Sequence, residues 1–157
     1  DGSFRPDSQI TRAEFAAILA RILGGDTPYQ GSFADVSASA WYAGAVQCAY
    51  EAGIVSGDGV NFYPEHALKR GELAKMAVGL YQKLAGPATE TADAGFTDSG
   101  EFEEWEREAI NAAYQLGFIK GMPDGSFQSK EPTTRAETAE ILFRLLRKAG
   151  KTANSAE

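Results

Sequence analysis

Apolar positions along the chain recur at helical rather than strand spacing. Phe15, Ile18, Leu19 and Ile22 fall three and four apart, and Ile141, Leu142 and Leu145 share one face in the same way. Trp41, Ala45, Cys48 and Ala49 form a further stripe of that period. On this basis five helices are predicted, over residues 11–23, 38–52, 68–85, 101–116 and 133–148. Strand signals are missing apart from short turns near Phe62 and Phe127, so the expected fold class is all-α. Gly53 and Gly117 suit the left-handed residue that ends a helix.

The predicted starts of three helices carry cap chemistry. Thr11 to Glu14 and Thr134 to Glu137 are Thr-x-x-Glu capping boxes, which put Arg12 and Arg135 at the first helical position. The middle helix has Lys69 where the others have Thr, and Gly71 after Arg70. Without a hydroxyl cap its start should be weaker by about 1 kcal/mol.

These features belong to a repeat. Asp1-Gly2-Ser3-Phe4 precedes Ile10-Thr11-Arg12-Ala13-Glu14-Phe15; Gly59-Val60-Asn61-Phe62 precedes Leu68-Lys69-Arg70-Gly71-Glu72-Leu73; Asp124-Gly125-Ser126-Phe127 precedes Thr133-Thr134-Arg135-Ala136-Glu137. The Phe-to-Arg spacing is 8 each time (12 − 4, 70 − 62, 135 − 127). A second block occurs twice, as Phe33-Ala34-Asp35-Val36, Trp41 and Gly53-Ile54-Val55-Ser56-Gly57, and as Phe96-Thr97-Asp98-Ser99, Trp105 and Gly117-Phe118-Ile119-Lys120-Gly121. The chain therefore reads as the second half of one repeat (1–25) and two complete repeats (33–85 and 96–148), together one structural domain. The Gly24–Gly31 and Gly86–Gly95 stretches are expected to be exposed linkers.

Composition narrows the function. With 157 residues and 43% hydrophobic residues the chain is long and apolar enough to bury a core. No apolar run approaches the ~20 residues that span a bilayer, so membrane insertion is not expected. The net charge of -7 argues against a nucleic-acid partner. The single cysteine, Cys48, excludes an internal disulfide, and with one histidine, His66, the usual zinc sites are not expected. Cys48 is expected in the core and His66 in solvent. The Asp-Gly turns lack the ligand spacing of calcium loops, so neither metal nor cofactor is expected. The hydrolase and nucleotide motifs Gly-x-Ser-x-Gly, Gly-x-x-x-x-Gly-Lys and His-Glu-x-x-His are absent, and no enzyme activity is expected. No basic stretch followed by an apolar one opens the chain, so an export signal is expected upstream if the parent protein is exported.

The recurrent Arg and Trp carry the candidate chemistry. An Arg at a helix start, beside unpaired amides and the positive end of the helix dipole, makes an anion site and can grip a carboxylate in a bidentate way. A Trp face suits a sugar ring, and glycine turns admit a ligand close to the backbone. Anion grip with sugar platform points to an acidic glycan. On the residues alone, a helix-start ion pair for the Arg and a core place for the Trp are the favoured reading. The recurrent Phe4, Phe33, Phe62, Phe96 and Phe127 are expected in the core, and each capping Glu is expected to be structural.

At these motifs the sequence resembles S-layer homology (SLH) repeats, whose pattern runs Phe-x-Asp-Val, Trp-Ala-x-x-Ala-Ile, Gly-Ile-x-x-Gly, Asp-Gly-x-Phe-x-Pro and Ile-Thr-Arg-Ala-Glu-Phe. The resemblance covers nearly the whole chain. It implies a pseudo-threefold helical spindle on the bacterial cell surface that anchors an exported protein to pyruvylated secondary cell-wall polysaccharide, held in grooves between repeats. It assigns ligand binding to Arg12, Arg70 and Arg135, and groove-lining roles to Trp41, Trp105, Gly57 and Gly121. The departures are Lys69 and Gly71 in repeat two, Thr133 where the others carry Ile10 or Leu68, and the acidic run Glu101, Glu103, Glu104, Glu106 and Glu108 around Trp105, which should repel an acidic ligand if it faces the groove. Repeat one lacks its Trp helix, so the module exposes apolar surface, recruits a helix from another chain (a homo-oligomer being one such outcome) or, as the favoured reading, is completed by residues of the parent protein.

Overall fold

The computed structural model describes residues 2–155, the side chains of 151–155 excepted; Asp1, the first residue of the first turn motif, lies outside them. The described chain is all-α, with helices α1 (Arg12–Leu23), α2 (Ala43–Glu51), α3 (Arg70–Ala85), α4 (Glu104–Gln115) and α5 (Arg135–Ser155). It forms two compact units. One is Ile10–Leu68; the other joins the stretch ending at Gln9 to the chain from Lys69 onward.

In the Ile10–Leu68 unit, α1 packs against α2 and buries Phe15, Leu19, Val46 and Phe62. In the other unit, α3 packs against both α4 and α5 around Leu73, Leu80, Ile110, Phe118 and Leu145. Full burial of such side chains is worth about 1.5–3 kcal/mol each. Each of the pairs α1–α2 and α3–α4 crosses a repeat boundary, since the Arg-Glu helix of one repeat meets the Trp-block helix of the next.

The helices that begin at an arginine start where the capping signals put them. Thr11 accepts from the Glu14 amide at 3.1 Å, and Glu14 accepts from the Thr11 amide at 3.1 Å. Thr134 caps the Glu137 amide at 3.1 Å. Lys69 offers no acceptor, so in α3 the glutamate half of the box remains, with the Lys69 amide donating to Glu72 at 3.2 Å. Gly53 and Gly117 adopt the expected left-handed conformation, with φ of 75° and 83°. The residue after each closes the helix end, Ile54 donating to Ala49 at 3.0 Å and Phe118 to Ala113 at 2.8 Å.

Elsewhere the structure corrects the expected elements. The second helix begins at Ala43 rather than 38, because Ala40 donates to the Ser37 carbonyl and Ser39 to the Ser37 hydroxyl, holding that stretch in turns. Trp41 therefore precedes the helix instead of sharing its apolar stripe, and it is 64% exposed. The fourth helix begins at Glu104, after a single 3-10 turn at Ser99–Glu101. The fifth continues past 148 to Ser155. Cys48 is half-exposed rather than core, whereas His66 is exposed as expected and stacks on Tyr63.

Four of the five recurrent phenylalanines are buried, but Phe4 is 53% exposed. Phe62 packs 5.5 Å from Phe33, and Phe127 packs 5.2 Å from Phe96. No such ring contact covers Phe4 among the described residues; the Arg135 guanidinium lies over it at 5.6 Å. On α5, Phe143 is 64% exposed and Leu146 is exposed too, although the aligned Ala20, Val78 and Tyr81 of the other Arg-Glu helices are buried.

Candidate functional site

The three motif arginines share one geometry. Arg12 Nε donates to the Phe62 carbonyl at 2.8 Å, Arg70 Nε to the Phe127 carbonyl at 2.8 Å, and Arg135 Nε to the Phe4 carbonyl at 2.9 Å. The same guanidinium groups lie over the rings of Phe62, Phe127 and Phe4, at 4.8, 4.7 and 5.6 Å. Each Arg thus meets the Phe of the next turn motif, and the third meets that of the first.

Neighbouring backbone groups repeat the pattern. The first two amides of each of these helices donate to the segment after that next Phe. Arg12 and Ala13 donate to the carbonyls of His66 and Pro64, Arg70 and Gly71 to those of Glu131 and Ser129, and Arg135 and Ala136 to those of Ser8 and Pro6. These amides were expected to be unpaired and open to an anion. They are instead filled by carbonyls of the protein, so an acid can be met here through side chains but not through these N–H groups.

A residue type without an assigned role in the sequence holds the turns in place. Asp35 accepts from the amides of Phe62 and Tyr63 at 2.8 and 2.7 Å, and Asp98 accepts from those of Phe127 and Gln128 at 2.9 and 2.8 Å. Tyr63 and Gln128 have φ of 61° and 62°, a region that side chains disfavour. Paired charge-assisted hydrogen bonds offset that strain. The recurrence of Asp in both Phe-x-Asp blocks was the available signal.

Around Arg12, charge and aromatic surface combine. Burial lowers the Arg12 pKa, while the charge of Asp35 acts in the opposite sense. Tyr42 has a raised pKa through desolvation first, then the negative charges of Glu65 and Asp35. Trp41 stands edge-on to Tyr42 at 5.3 Å. In the turn nearby, Asp58 accepts from the Asn61 amide, the Tyr63 hydroxyl and the Val60 amide, which hold its pKa down at about 2.

Around Arg70, ionic and carbonyl partners are in place. Besides the Phe127 carbonyl, Arg70 Nη1 pairs with Glu137 at 2.5 Å and Nη2 reaches the Lys120 carbonyl at 3.4 Å. Trp105, on α4, is 47% exposed, and the Lys75 ammonium sits over its ring at 5.2 Å. Of the acidic run, Glu101, Glu103, Glu104 and Glu108 are exposed, but Glu106 is buried. Its Oε1 accepts from the Glu103 amide at 3.1 Å.

The two recurrent glycines, Gly57 and Gly121, are closely packed. A Cβ on Gly57 would lie 2.1 Å from the Asn61 carbonyl oxygen, and one on Gly121 would lie 2.6 Å from the Phe96 ring. Among the described residues no group of three or more His, Cys, Asp or Glu side chains could hold a metal ion, and no helix is long and apolar enough to cross a membrane.

The S-layer homology domain pattern matches residues 1–16, 32–74 and 95–139. The chain is 38% identical, over 96% of its length, to an amylopullulanase of Thermoanaerobacterium thermosulfurigenes, and it spans 8% of that protein. It is 36% identical, over 95% of its length, to exoglucanase XynX of Acetivibrio thermocellus, spanning 14% of it. A cellulosome-anchoring protein of Acetivibrio thermocellus is 33% identical over 92% of the chain, which spans 34% of that relative. The shared region is thus a small part of each larger protein, enzymes included. The chain belongs to the S-layer homology domain family, a family of the bacterial cell surface and cell wall.

Proposed function

We propose that this chain is a non-catalytic anchoring module that binds an acidic, pyruvylated secondary cell-wall polysaccharide and so holds a larger exported protein at the wall. The observation that carries this is the exposure of both recurrent tryptophans, while Phe33, Phe62, Phe96 and Phe127 are buried. A large aromatic left in solvent at the same place in two repeats serves no core; it offers a face for a sugar ring. Arg12 and Arg135 supply positive charge for the acid, and the names of relatives such as the cellulosome-anchoring protein support attachment as the task. Gly57 and Gly121 contribute by holding the turns that carry the groove, rather than by touching the ligand. Purified wall sacculi that retain their acidic polymer should pull the protein down. A folded Arg12→Ala/Arg135→Ala variant should lose that binding; unchanged binding would refute the assignment.

A second reading, that the module serves protein–protein assembly, is favoured by the exposed Phe143 and Leu146 on α5. It predicts a concentration-dependent mass in light scattering, abolished by Phe143→Glu.

A further inference from the structure

We infer that the Arg70 site is filled by the protein's own side chains and stays closed to the glycan, with Glu106 as the residue that closes it. This rests on the glycan-binding reading of the motif arginines and sharpens it by naming a residue that decides which of them works.

Three features would receive an acidic sugar at Arg70: the guanidinium, the positive first turn of α3, and the Trp105 face. Each is already met by the protein itself, the Arg70 and Gly71 amides of that first turn by the Glu131 and Ser129 carbonyls. Arg70 Nε reaches the Phe127 carbonyl as Arg12 and Arg135 reach theirs, and Glu137, 39% exposed, pairs with Arg70 in a surface ion pair that an incoming acid can replace. Lys75 lies over Trp105. Glu106, 3% exposed, brings its Oε2 to within 2.0 Å of where a Cβ on Gly71 would stand, with Ser129 Cβ 3.2 Å from the same point. A carboxylate therefore rests against the first turn of α3, where the helix dipole favours negative charge.

The sequence changes at this site are mutually dependent. By the motif alignment, Gly71 stands where the other arginines are followed by Ala13 and Ala136. Glu106 stands where the first complete repeat has Tyr42, next after its Trp. The missing methyl of Gly71 leaves the space that the Glu106 carboxylate occupies; an alanine at 71 would oblige the carboxylate to move. Lys75 aligns with Ala17, so the cation over the indole is also particular to this site. An acidic ligand arriving here would bring a second negative charge against a buried one, which low-dielectric surroundings make strongly unfavourable.

The test uses the whole chain and a pyruvylated disaccharide as probe. In a Trp41→Phe background Trp105 is the sole remaining indole. Its fluorescence should not respond to the disaccharide until Glu106→Gln and Lys75→Ala are introduced. Calorimetry on the same pair should then show about one additional equivalent bound per chain. Glu106→Gln keeps the side chain's size and its acceptor for the Glu103 amide, and Lys75→Ala alone, which leaves the buried carboxylate untouched, should give no new equivalent. An immediate Trp105 response in the Trp41→Phe protein would overturn the inference, and so would an unchanged stoichiometry in the folded double variant while Arg12-dependent binding persists. Absence of binding by every version of the protein, wild type included, removes the glycan reading and this inference with it.

Discussion

The Arg12 guanidinium donates from Nε to the carbonyl of Phe62 at 2.8 Å and lies 4.8 Å from the centre of the same residue's ring. A planar fork can do both; a lysine ammonium cannot hold that hydrogen bond while presenting a flat face to the ring. The buried Arg12→Lys is expected to destabilise the protein by about 1–3 kcal/mol, and Arg135→Lys, over the exposed Phe4, by less. Urea midpoints of the two variants check this. The same measurement separates lost glycan binding from lost folding in any arginine variant.

Asp98 should matter to stability as much as the arginines do. Its two oxygens accept from the Phe127 and Gln128 amides at 2.9 and 2.8 Å, so Asp98→Asn turns one acceptor into a donor that faces an N–H. The expected cost is about 1.5–3 kcal/mol, since a charge-assisted bond is lost and an amide is left unpaired. Thermal unfolding of Asp98→Asn, with the exposed Asp93→Asn as control, reads it; equal midpoints would contradict the clamp role.

Thr133 offers a gain in stability. It stands where the other motifs have Ile10 and Leu68, is fully buried, and its hydroxyl has no hydrogen-bond partner among the described residues. Thr133→Val keeps the shape and removes the unsatisfied group, which should stabilise by about 1–2 kcal/mol. The melting temperature should rise by roughly 2–8 °C on that estimate; a fall would show that the hydroxyl is satisfied in solution.

Asp58 predicts the acid behaviour of its turn. Its folded pKa is about 2, against an ordinary value of 3.8, because the charged form accepts from the Asn61 and Val60 amides and the Tyr63 hydroxyl. A depressed carboxylate pKa contributes stability above pH 3.8 that is lost as the pH falls towards 2. Amide shifts of Val60 and Asn61 should therefore hold steady down to about pH 3 and move together below it. In Asp58→Asn that low-pH transition should vanish while Tyr63 titrates closer to its ordinary value, because Asp58 is the first cause of its raised pKa.

Much of the fold was legible because it is written in local signals. Thr-x-x-Glu boxes involve atoms three residues apart, so they marked the starts at Arg12 and Arg135 correctly. Gly53 and Gly117 ended their helices for an equally local reason. The start of the second helix differs from the periodic reading because the Ser37 hydroxyl accepts from the Ser39 amide and bonds the Ser39 hydroxyl, which periodicity does not register. Trp41 was placed on an apolar stripe on the strength of residue type, yet it lies ahead of the helix and in solvent. The aspartates of Phe-x-Asp were visible as a repeat, but their partners lie 27–30 residues further on, beyond any local rule.

By itself, the sequence determined the repeat, the helical period, the caps and the candidate residues for an acidic ligand, since each follows from spacings of a few residues and from side-chain chemistry. Only the tertiary structure decided what those residues already touch. Arg12, Arg70 and Arg135 find their carbonyl partners 50, 57 and 131 residues away, and the helix-start amides are filled by equally distant segments. Whether a charged group at a helix end is open to a ligand depends on which surface folding brings against it. For Arg70, that surface includes Glu137, with Glu106 packed against the next residue, Gly71.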